Sequence, residues 1–465
     1  MRFSYLECLK HLNSLEFFKG AGFKDLNLLR VKFIKQYMKL NDMDVDNLNI
    51  IHVTGSKGKG STCFYIEKIL RQKGFSTGMF LSPHVISIRE RIQINGTPVS
   101  ENEFANLMNS INCGKMPDDF KQSISFLSLI FLMALRSFIN NKVSHIIMEV
   151  GIGGRNDYTN IFDKISAALL TSLELEHTNW IGDTLEAIAY EKSGIFKPNC
   201  PVFINKIDDV DAFNVIKRET ESMNCKLYIS HPPNNVQFDD INFTLAKYVV
   251  EYLENPSNFP QDTIQILQNS VQLTKNDYDS IKSTQLLGRH QCIELNNKLK
   301  IYLDTAHTIQ SCKNTLAWFL SKSSPQSKNI LLFTLTGERT GSEIFQAFDK
   351  DCFELITIAK LNYNTSKLDI RKKINWEKAF EDSKSFSDQV ILLDSDEEFL
   401  DSIIRISVDK TSTSSVQDEV LKRINPSDRI EILCTGSVYL VGEVFQFLID
   451  RGYLELEKIP GFKSD

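Results

Sequence analysis

A glycine-rich segment near the amino terminus carries residues suited to holding phosphate. It reads VTGSKGKGST over 53–62, follows the apolar run Asn49–Val53 and opens a helical pattern over Thr62–Lys73. Glycines let successive backbone N–H groups turn towards phosphate oxygens, and the helix amino terminus adds positive potential. We predict a mononucleotide site in which the phosphates are held by Gly55, Ser56, Lys57, Gly58, Lys59, Gly60, Ser61 and Thr62.

Lys59 is the candidate for the β- and γ-phosphates, and the hydroxyl of Ser61 or Thr62 is a candidate ligand of Mg²⁺. The spacing GxxGKGS is shorter than the usual GxxxxGK followed by Ser or Thr. The alternative is a glycine turn with two solvated lysines, which the strand before it and the helix after it disfavour. On this motif alone, kinase, hydrolase and ligase chemistry all stay open.

Glu149 and His177 each follow a predicted strand. Glu149 lies in the run His145–Val150, and His177 follows the run ALLTSLEL. Because ligands of open parallel sheets bind at the carboxyl ends of strands, both side chains are expected near the phosphate loop. A carboxylate, a hydroxyl and an imidazole form a candidate metal site, although a histidine ligand is unusual for Mg²⁺. A hydrogen-bonded structural histidine is the competing interpretation of His177.

Lys192 lies in the segment EKSGIFK, within a helical pattern whose other positions are apolar. Long charged side chains in such positions usually run along the apolar surface and keep the charge in water. The pattern alone therefore predicts a surface lysine.

The elements that must position these residues are those of an α/β protein. Apolar runs that end in Gly or Ser alternate with helix-length segments, which is typical of parallel strands with crossover helices. Between 205 and 285 the sequence is more polar, and only the helix Asn242–Leu253 stands out. The other predicted strands are Ala167–Thr171, Pro201–Ile204, Leu299–Leu303, Asn329–Thr334, Phe353–Ala359, Val390–Leu393 and Arg429–Cys434.

Two domains are expected, because single cores rarely grow beyond roughly 250–300 residues and the chain has 465. We predict an N-terminal P-loop-type ATPase domain with a mainly parallel sheet over 1–284. A C-terminal Rossmann-like α/β domain is predicted over 285–465. The amino terminus carries leucines at three-residue spacing, which predicts an amphipathic helix.

Charge and composition exclude several classes of protein. The net charge is −6, whereas a general nucleic-acid binder carries a basic excess. The longest apolar stretch, Phe126–Leu135, is too short to span a bilayer. Nine scattered cysteines form no CxxC pair, so we expect reduced thiols and no structural zinc. These features predict a cytoplasmic protein with no nucleic acid or membrane as partner, and they leave a mitochondrial form open.

The order of motifs resembles that of the folylpolyglutamate synthase family, which belongs to the Mur ligase superfamily. The resemblance runs through both predicted domains and covers most of the chain. The matching segments are HVTGSKGKGST (52–62), LSPHVISIRERIQINGTPVS (81–100), EVGIGGRNDYTNI (149–161), HTNWIGDTLEAIAYEKSGIFK (177–197), LLGRHQ (286–291), DTAHT (304–308), LTGERT (335–340) and TGSVYLVG (435–442).

The resemblance implies an ATP-dependent C–N ligase that adds L-glutamate to the γ-carboxylate of tetrahydrofolate polyglutamates. In this family the ATP γ-phosphate converts a folate carboxylate into an acyl phosphate, which the amine of glutamate attacks. A carboxylate is a poor electrophile, and phosphorylation supplies a leaving group. The family also implies Mg²⁺, with a monovalent cation such as K⁺ as a further candidate, and a monomeric enzyme.

Residue roles also follow from the resemblance. Ser82, Glu149 and His177 match the Mg²⁺ ligands, and Lys192 matches a lysine that family members often carboxylate with CO₂. Lys59, His177 and Lys192 are thus the implied catalytic residues. Further nucleotide contacts are implied for Asn242, Arg289, Asp304 and His307. Because the last three lie in the second predicted domain, Gln285–Gly288 is a candidate hinge for domain closure.

Five positions depart from the family pattern, and they keep two other functions open. Glu176 stands where Asp is usual, Thr305 replaces a Gly, and Leu287 replaces a Pro; Asn156 and Tyr158 also differ. A positive φ at residue 305 would now be strained. The first alternative is a dihydrofolate synthase, which joins glutamate to dihydropteroate. The second is a nucleotide-binding paralogue with weak catalysis.

Overall fold

The computed structural model describes most of the chain in two units. It covers residues 3–15, 23–40, 48–111, 125–231, 238–260, 262–268, 286–335, 341–360, 376–387, 389–393, 395–408, 423–425 and 427–456, with positions 43, 274, 279, 459 and 462. Backbone contacts place the described residues up to 83 and from 89 to 279 in the first unit, and 84–88 with those from 286 onwards in the second.

The first unit is built on a nine-stranded sheet with β1 (Asn49–Thr54) near its centre. The order is β4-β3-β2-β5-β1-β6-β7-β8-β9, and only the β2–β3 and β3–β4 pairs are antiparallel. The other strands are β2 (Thr77–Phe80), β3 (Ile92–Ile94), β4 (Thr97–Pro98), β5 (His145–Glu149), β6 (Ala167–Leu170), β7 (Pro201–Asn205), β8 (Lys226–His231) and β9 (Ile264–Gln268).

Helices cover both faces of this sheet, which explains why its central strands are continuously apolar. Alternate residues of one strand face opposite cores: Leu169 packs in one cluster and Leu170 in the other. The helices are α1 (Tyr5–Ser14), α2 (Phe23–Leu40), α3 (Lys59–Gln72), α4 (Glu101–Ser110), α5 (Phe126–Asn140), α6 (Thr178–Ile181), α7 (Leu185–Ser193), α8 (Val210–Ser222) and α9 (Phe238–Glu254).

The second unit has a six-stranded sheet in the order β10-β11-β15-β12-β13-β14, parallel except for β10–β11. Its strands are β10 (Gln291–Asn296), β11 (Leu299–Leu303), β12 (Lys328–Phe333), β13 (Leu355–Ala359), β14 (Val390–Leu393) and β15 (Ile430–Thr435). Its helices are α10 (Ile309–Lys322), α11 (Gly341–Phe345), α12 (Trp376–Phe386), α13 (Asp396–Ser407) and α14 (Val438–Asp450).

The α/β class expected from the sequence is confirmed, and so is the strand rhythm that the apolar runs predicted. The prediction of one helix between 205 and 285 is wrong, because α8, β8 and β9 also lie there. The strand expected to reach His177 is shorter than predicted and ends at Leu170.

Among the described residues, no helix combines the length and apolar character that crossing a membrane requires. The described cysteines are all free thiols, and Cys113 lies outside the described ranges. Residues 336–340 of the LTGERT motif and Gln285 of the candidate hinge also lie outside them.

Candidate active site

The phosphate loop connects the carboxyl end of β1 to the amino end of α3. Its backbone turns at two glycines of positive φ, Gly55 at 147° and Gly58 at 81°. The segment after β6 holds the loop from the side: Ser172 accepts from the Ser56 N–H through its carbonyl (2.9 Å) and from the Lys57 N–H through its Oγ (2.8 Å). The loop is therefore fixed by the neighbouring strand as well as by its own glycines.

Lys59 is the first residue of α3, and its side chain folds back over the loop. Its Nζ donates to the carbonyls of Gly55 (2.8 Å) and Ser56 (3.4 Å). This places a cation above the turn and beside the helix amino terminus, where Ser61 and Thr62 follow in the first turn. Both the charge and the helix dipole favour an anion there.

Asn242 of α9 lies directly against this loop. A methyl group added to Gly58 would come within 2.4 Å of the Asn242 Oδ1, and that same oxygen accepts from the Thr62 hydroxyl at 3.5 Å. The residue is fully buried, and its Nδ2 has no hydrogen-bond partner among the described residues. A buried donor of this kind usually has a partner, so the orphaned amide fits a bound ligand that supplies an acceptor.

Glu149, at the end of β5, lies next to the start of α3. β5 pairs with β1 so that Glu149 is opposite Val53, and a methyl group on Gly60 would be 3.8 Å from the Glu149 Oε1. The carboxylate is 4% exposed, and its Oε2 accepts from the Ser82 N–H at 2.8 Å. The structure thus brings Ser82 and Glu149 together beside the phosphate loop.

Lys192 and Glu176 form a buried ion pair near these residues. The Lys192 Nζ donates to the Glu176 Oε1 at 2.9 Å, and the lysine side chain is 1% exposed. Burial, with the nearby charge of Lys59, lowers the pKa of Lys192 to about 8 against the opposing effect of Glu176. Burial acts to raise the pKa of Glu176, but Lys192, Lys59 and His177 together bring it down to about 2.

One expectation drawn from local pattern is wrong: Lys192 is not a surface lysine, because its side chain is buried and Glu176 balances its charge. His177 is exposed, has a φ of 49° and immediately precedes α6, with its ring stacked on Trp180 at 5.6 Å. Its interpretation as a hydrogen-bonded structural histidine stays a prediction, as does its interpretation as a metal ligand. His177 directly follows Glu176, the partner of Lys192, in the chain.

The departures at Asn156 and Tyr158 lie in the loop after Glu149. Asn156 donates from its N–H (2.9 Å) and its Nδ2 (3.1 and 2.9 Å) to the carboxylate of Glu191, the neighbour of Lys192. The Tyr158 ring is buried and meets Phe131 edge to face at 5.7 Å. Asn156 therefore links this loop to α7, and Tyr158 fills the core beneath it.

In the second unit, Asp304 organises the residues predicted for the nucleotide. Its carboxylate accepts from the N–H groups of His290 (2.9 Å) and Ala306 (2.8 Å) and from the Thr315 hydroxyl (3.0 Å). Arg289 is exposed, and the His307 Nδ1 lies 2.8 Å from the Thr305 carbonyl oxygen. Thr305 does not have a positive φ, so the strain expected there does not arise.

Sequence reasoning missed the part that Ser172 and Glu176 play in the site. Ser172 was hidden because nothing in a lone serine marks it as a contact of a loop more than a hundred positions away. Glu176 stands where Asp is usual in the family, and an acid beside the matched histidine is the signal that could have identified the partner of Lys192. Within the described ranges, no group of three or more His, Cys, Asp or Glu side chains is arranged to hold a metal ion.

Known proteins resemble the chain in sequence and in fold. The family model "Mur ligase middle domain" matches residues 53–292, more than half of the chain. Mitochondrial folylpolyglutamate synthase of Bos taurus is 33% identical over 385 residues, covering 74% of this chain and 63% of that protein. A putative folylpolyglutamate synthase of Caenorhabditis elegans is 29% identical over 447 residues, covering 90% and 86%.

A solved structure shares the fold. Bifunctional folylpolyglutamate synthase/dihydrofolate synthase of Yersinia pestis, complexed with AMPPNP and a Mn ion, has a TM-score of 0.67 at 22% identity and covers 97% of each chain. The match to the bovine enzyme spans less than two thirds of that enzyme's length.

The parallel sheet with a phosphate loop after its central strand, matched by the family model, defines a protein of the Mur ligase class. Within that class, the chain belongs to the folylpolyglutamate synthase family.

Proposed function

We propose that this protein is an ATP-dependent ligase that joins L-glutamate to the γ-carboxylate of tetrahydrofolate or its polyglutamates. The observation that carries the proposal is the phosphate loop with Lys59 above it, Glu149 beside it and the buried Asn242 amide pointing into it without a partner among the described residues. A fixed anion site of this kind, in a family whose relatives are named folylpolyglutamate synthases, supports nucleotide-driven ligation.

In the proposed reaction, the loop amides and the Lys59 ammonium hold the phosphates. Lys59 now donates to the Gly55 and Ser56 carbonyls, and these hydrogen bonds are exchanged for phosphate oxygens when the nucleotide binds. ATP supplies the phosphoryl group that makes a carboxylate reactive towards an amine. Lys59 stabilises the charge that develops on the transferred group, because a fixed cation needs no reorganisation during the reaction.

A divalent cation fits beside Glu149 and Ser82. Carboxylate and hydroxyl oxygens are the ligands that Mg²⁺ prefers, and the Ser82 backbone N–H already holds this residue beside the Glu149 carboxylate. His177, matched to the third ligand, stays a prediction, as do the nucleotide contacts of Arg289, Asp304 and His307. A bound cation would offset the repulsion between the nucleotide and a folate carboxylate.

We also propose that Lys192 reacts with CO₂ to give a carbamate. Only a neutral amine reacts, and a pKa of about 8 makes the neutral form about 300-fold more abundant at pH 7 than a pKa of 10.5 would. The nitrogen bonds to the CO₂ carbon and loses one proton, so a cation becomes an anionic oxygen ligand. That product would no longer be an ion-pair partner for Glu176.

The test is substrate-dependent release of ADP by the purified protein. We expect release to require both tetrahydrofolate and L-glutamate. Release with dihydropteroate and glutamate, but not with tetrahydrofolate, would identify a dihydrofolate synthase instead. Absence of release with either pair would support the weakly catalytic paralogue and overturn the proposal.

Lys59→Ala tests the site within the same assay. We expect turnover to fall roughly a hundredfold or more with the fold retained, because one preorganised charge is lost. Lys73→Ala is the matched control, since Lys73 lies just beyond the other end of α3 and pairs with Glu254 on the surface. A normal rate for Lys59→Ala would contradict the assignment of the loop.

A further inference from the structure

Two buried cysteines lie side by side at the amino ends of strands in the first sheet, the opposite end from the phosphate loop. Cys200 precedes β7 and Cys225 precedes β8, and these parallel strands pair so that Pro201 lies opposite Lys226. The two cysteines are therefore also opposite each other. Their Sγ atoms are 3.8 Å apart, and the side chains are 3% and 2% exposed.

The two turns that carry these thiols are built alike and are joined to each other. Asn199 and Asn224, each just before a cysteine, both have positive φ values of 61° and 51°. The Asn224 Nδ2 donates to the Asn199 Oδ1 at 2.7 Å, and the Asn199 N–H donates to the Met223 carbonyl at 2.9 Å. The turns thus hold the thiols in register, while both asparagines are exposed to solvent.

The pair is also chemically asymmetric. The Lys197 N–H donates to the Cys200 Sγ at 3.3 Å, whereas the Cys225 Sγ lies 3.2 Å from the Lys197 carbonyl oxygen. The hydrogen bond with Cys225 lowers the pKa of Cys200, although Cys200 is buried. The hydrogen bond with Cys200 raises the pKa of Cys225, and the burial of Cys225 raises it too. Cys200 is therefore the nucleophile of the pair and Cys225 the resolving thiol.

We propose that Cys200 and Cys225 form a reversible intramolecular disulfide when the protein meets hydrogen peroxide. The Cys200 sulfur attacks the peroxide oxygen, the O–O bond breaks, and a sulfenic acid and water result. The Cys225 sulfur then displaces the hydroxyl group from Cys200, which leaves as a second water with the thiol proton. Two electrons pass from the thiols to the peroxide, and closing the remaining distance between the sulfurs requires only a small shift of the two turns.

The disulfide is expected to stabilise the first unit and to leave the phosphate loop accessible to substrates. The bond would close a loop around α8 between cysteines 25 positions apart, and such loops restrict the unfolded chain. The thiols lie at the amino ends of β7 and β8, whereas the phosphate loop and Glu149 lie at carboxyl ends of parallel strands in the same sheet. We therefore expect turnover to continue after oxidation.

The experiment exposes the native protein to hydrogen peroxide, quenches it, unfolds it and alkylates the free thiols. Peptide mass spectrometry should find Cys200 joined to Cys225, two fewer alkylated thiols than the nine of the reduced chain, and full recovery after a dithiol reductant. The midpoint of thermal unfolding should rise by several degrees. Recovery of both cysteines fully alkylated, or an unchanged midpoint in protein that carries the bond, would overturn the proposal.

Matched variants separate this bond from general oxidation. Cys200→Ser and Cys225→Ser should each remove both the joined peptide and the rise in midpoint. Cys292→Ser should keep both, because Cys292 is an exposed thiol in the second unit. A rise in midpoint that persists in Cys225→Ser would assign the stabilisation to another reaction and contradict the inference.

Discussion

At the scale of single residues, the site depends on charges and close contacts that are each held by one identifiable neighbour. Residue 58 has no room for a side chain, because Asn242 occupies the space that a Cβ atom on Gly58 would take. Lys192 is buried because Glu176 is within hydrogen-bonding distance. Each of these pairs makes a distinct prediction.

Gly58→Ala should weaken nucleotide binding at least roughly tenfold, which corresponds to about 1.4 kcal/mol. The new methyl group would meet the Asn242 Oδ1 at 2.4 Å and displace either the loop or the amide. Gly74→Ala is the matched control, because Gly74 has a similar φ of 87° but nothing within 4 Å of the added atom. Titration with a fluorescent ATP analogue gives both affinities, and equal losses in the two variants would point to backbone strain alone.

Glu176→Gln should make Lys192 easier to carboxylate. Burial lowers the pKa of Lys192, whereas the Glu176 carboxylate raises it. Removing that carboxylate should therefore take the pKa of Lys192 below about 8. More neutral amine is then present at neutral pH, and isotope-labelled CO₂ should give a stronger carbamate signal in carbon NMR. Lys192→Met should abolish the signal and Lys197→Met should retain it. A signal that is weaker in Glu176→Gln would contradict this account of the pair.

At the scale of elements, local patterns predicted β1, the loop and α3, because an apolar run, several glycines and a helical pattern follow one another within about twenty residues. The helix α8 was missed although its buried residues Ala212, Ile216 and Thr220 recur every four positions, since charged residues surround them. The burial of Lys192 could not be predicted from its own helix, because it depends on a partner 16 positions away in a loop.

The start of α13 gives a prediction for stability. Asp396 is fully buried there, and burial raises its pKa from 3.8 to about 6, with Glu397 adding to the shift. Between these pH values the folded state holds a proton that the unfolded state has lost, so stability falls as pH rises from about 4 to about 6. Above that window the charged side chain destabilises the second unit by an amount on the order of 3 kcal/mol.

Asp396→Asn should therefore raise the free energy of unfolding at pH 8 and flatten its dependence on pH. Denaturant titrations at several pH values measure both effects. Asp401→Asn is a suitable comparison on the same helix, because Asp401 pairs with Arg451 near the surface. If the Asp396 variant is less stable than the parent protein at pH 8, the carboxylate contributes to the fold and the assigned penalty is wrong.

At the scale of the whole molecule, the sequence predicted two α/β domains, and the structure has two units, each around its own sheet. The sequence did not predict that segment 84–88, which closely follows Ser82 in the chain, belongs to the second unit. This assignment depends on contacts between residues far apart in sequence, which no local pattern encodes. The motif order carried the family assignment more reliably than composition did, because a net charge of −6 says little about a site built from a few local charges.

We propose that this protein activates a folate carboxylate with ATP and joins it to glutamate. Tetrahydrofolate labelled with heavy oxygen in its γ-carboxylate tests this reaction when the label is followed during turnover with ATP and L-glutamate. We expect one labelled oxygen in each inorganic phosphate released, together with a folate product longer by one glutamyl residue. ADP release with unlabelled phosphate, or with no lengthened folate, would contradict the proposal.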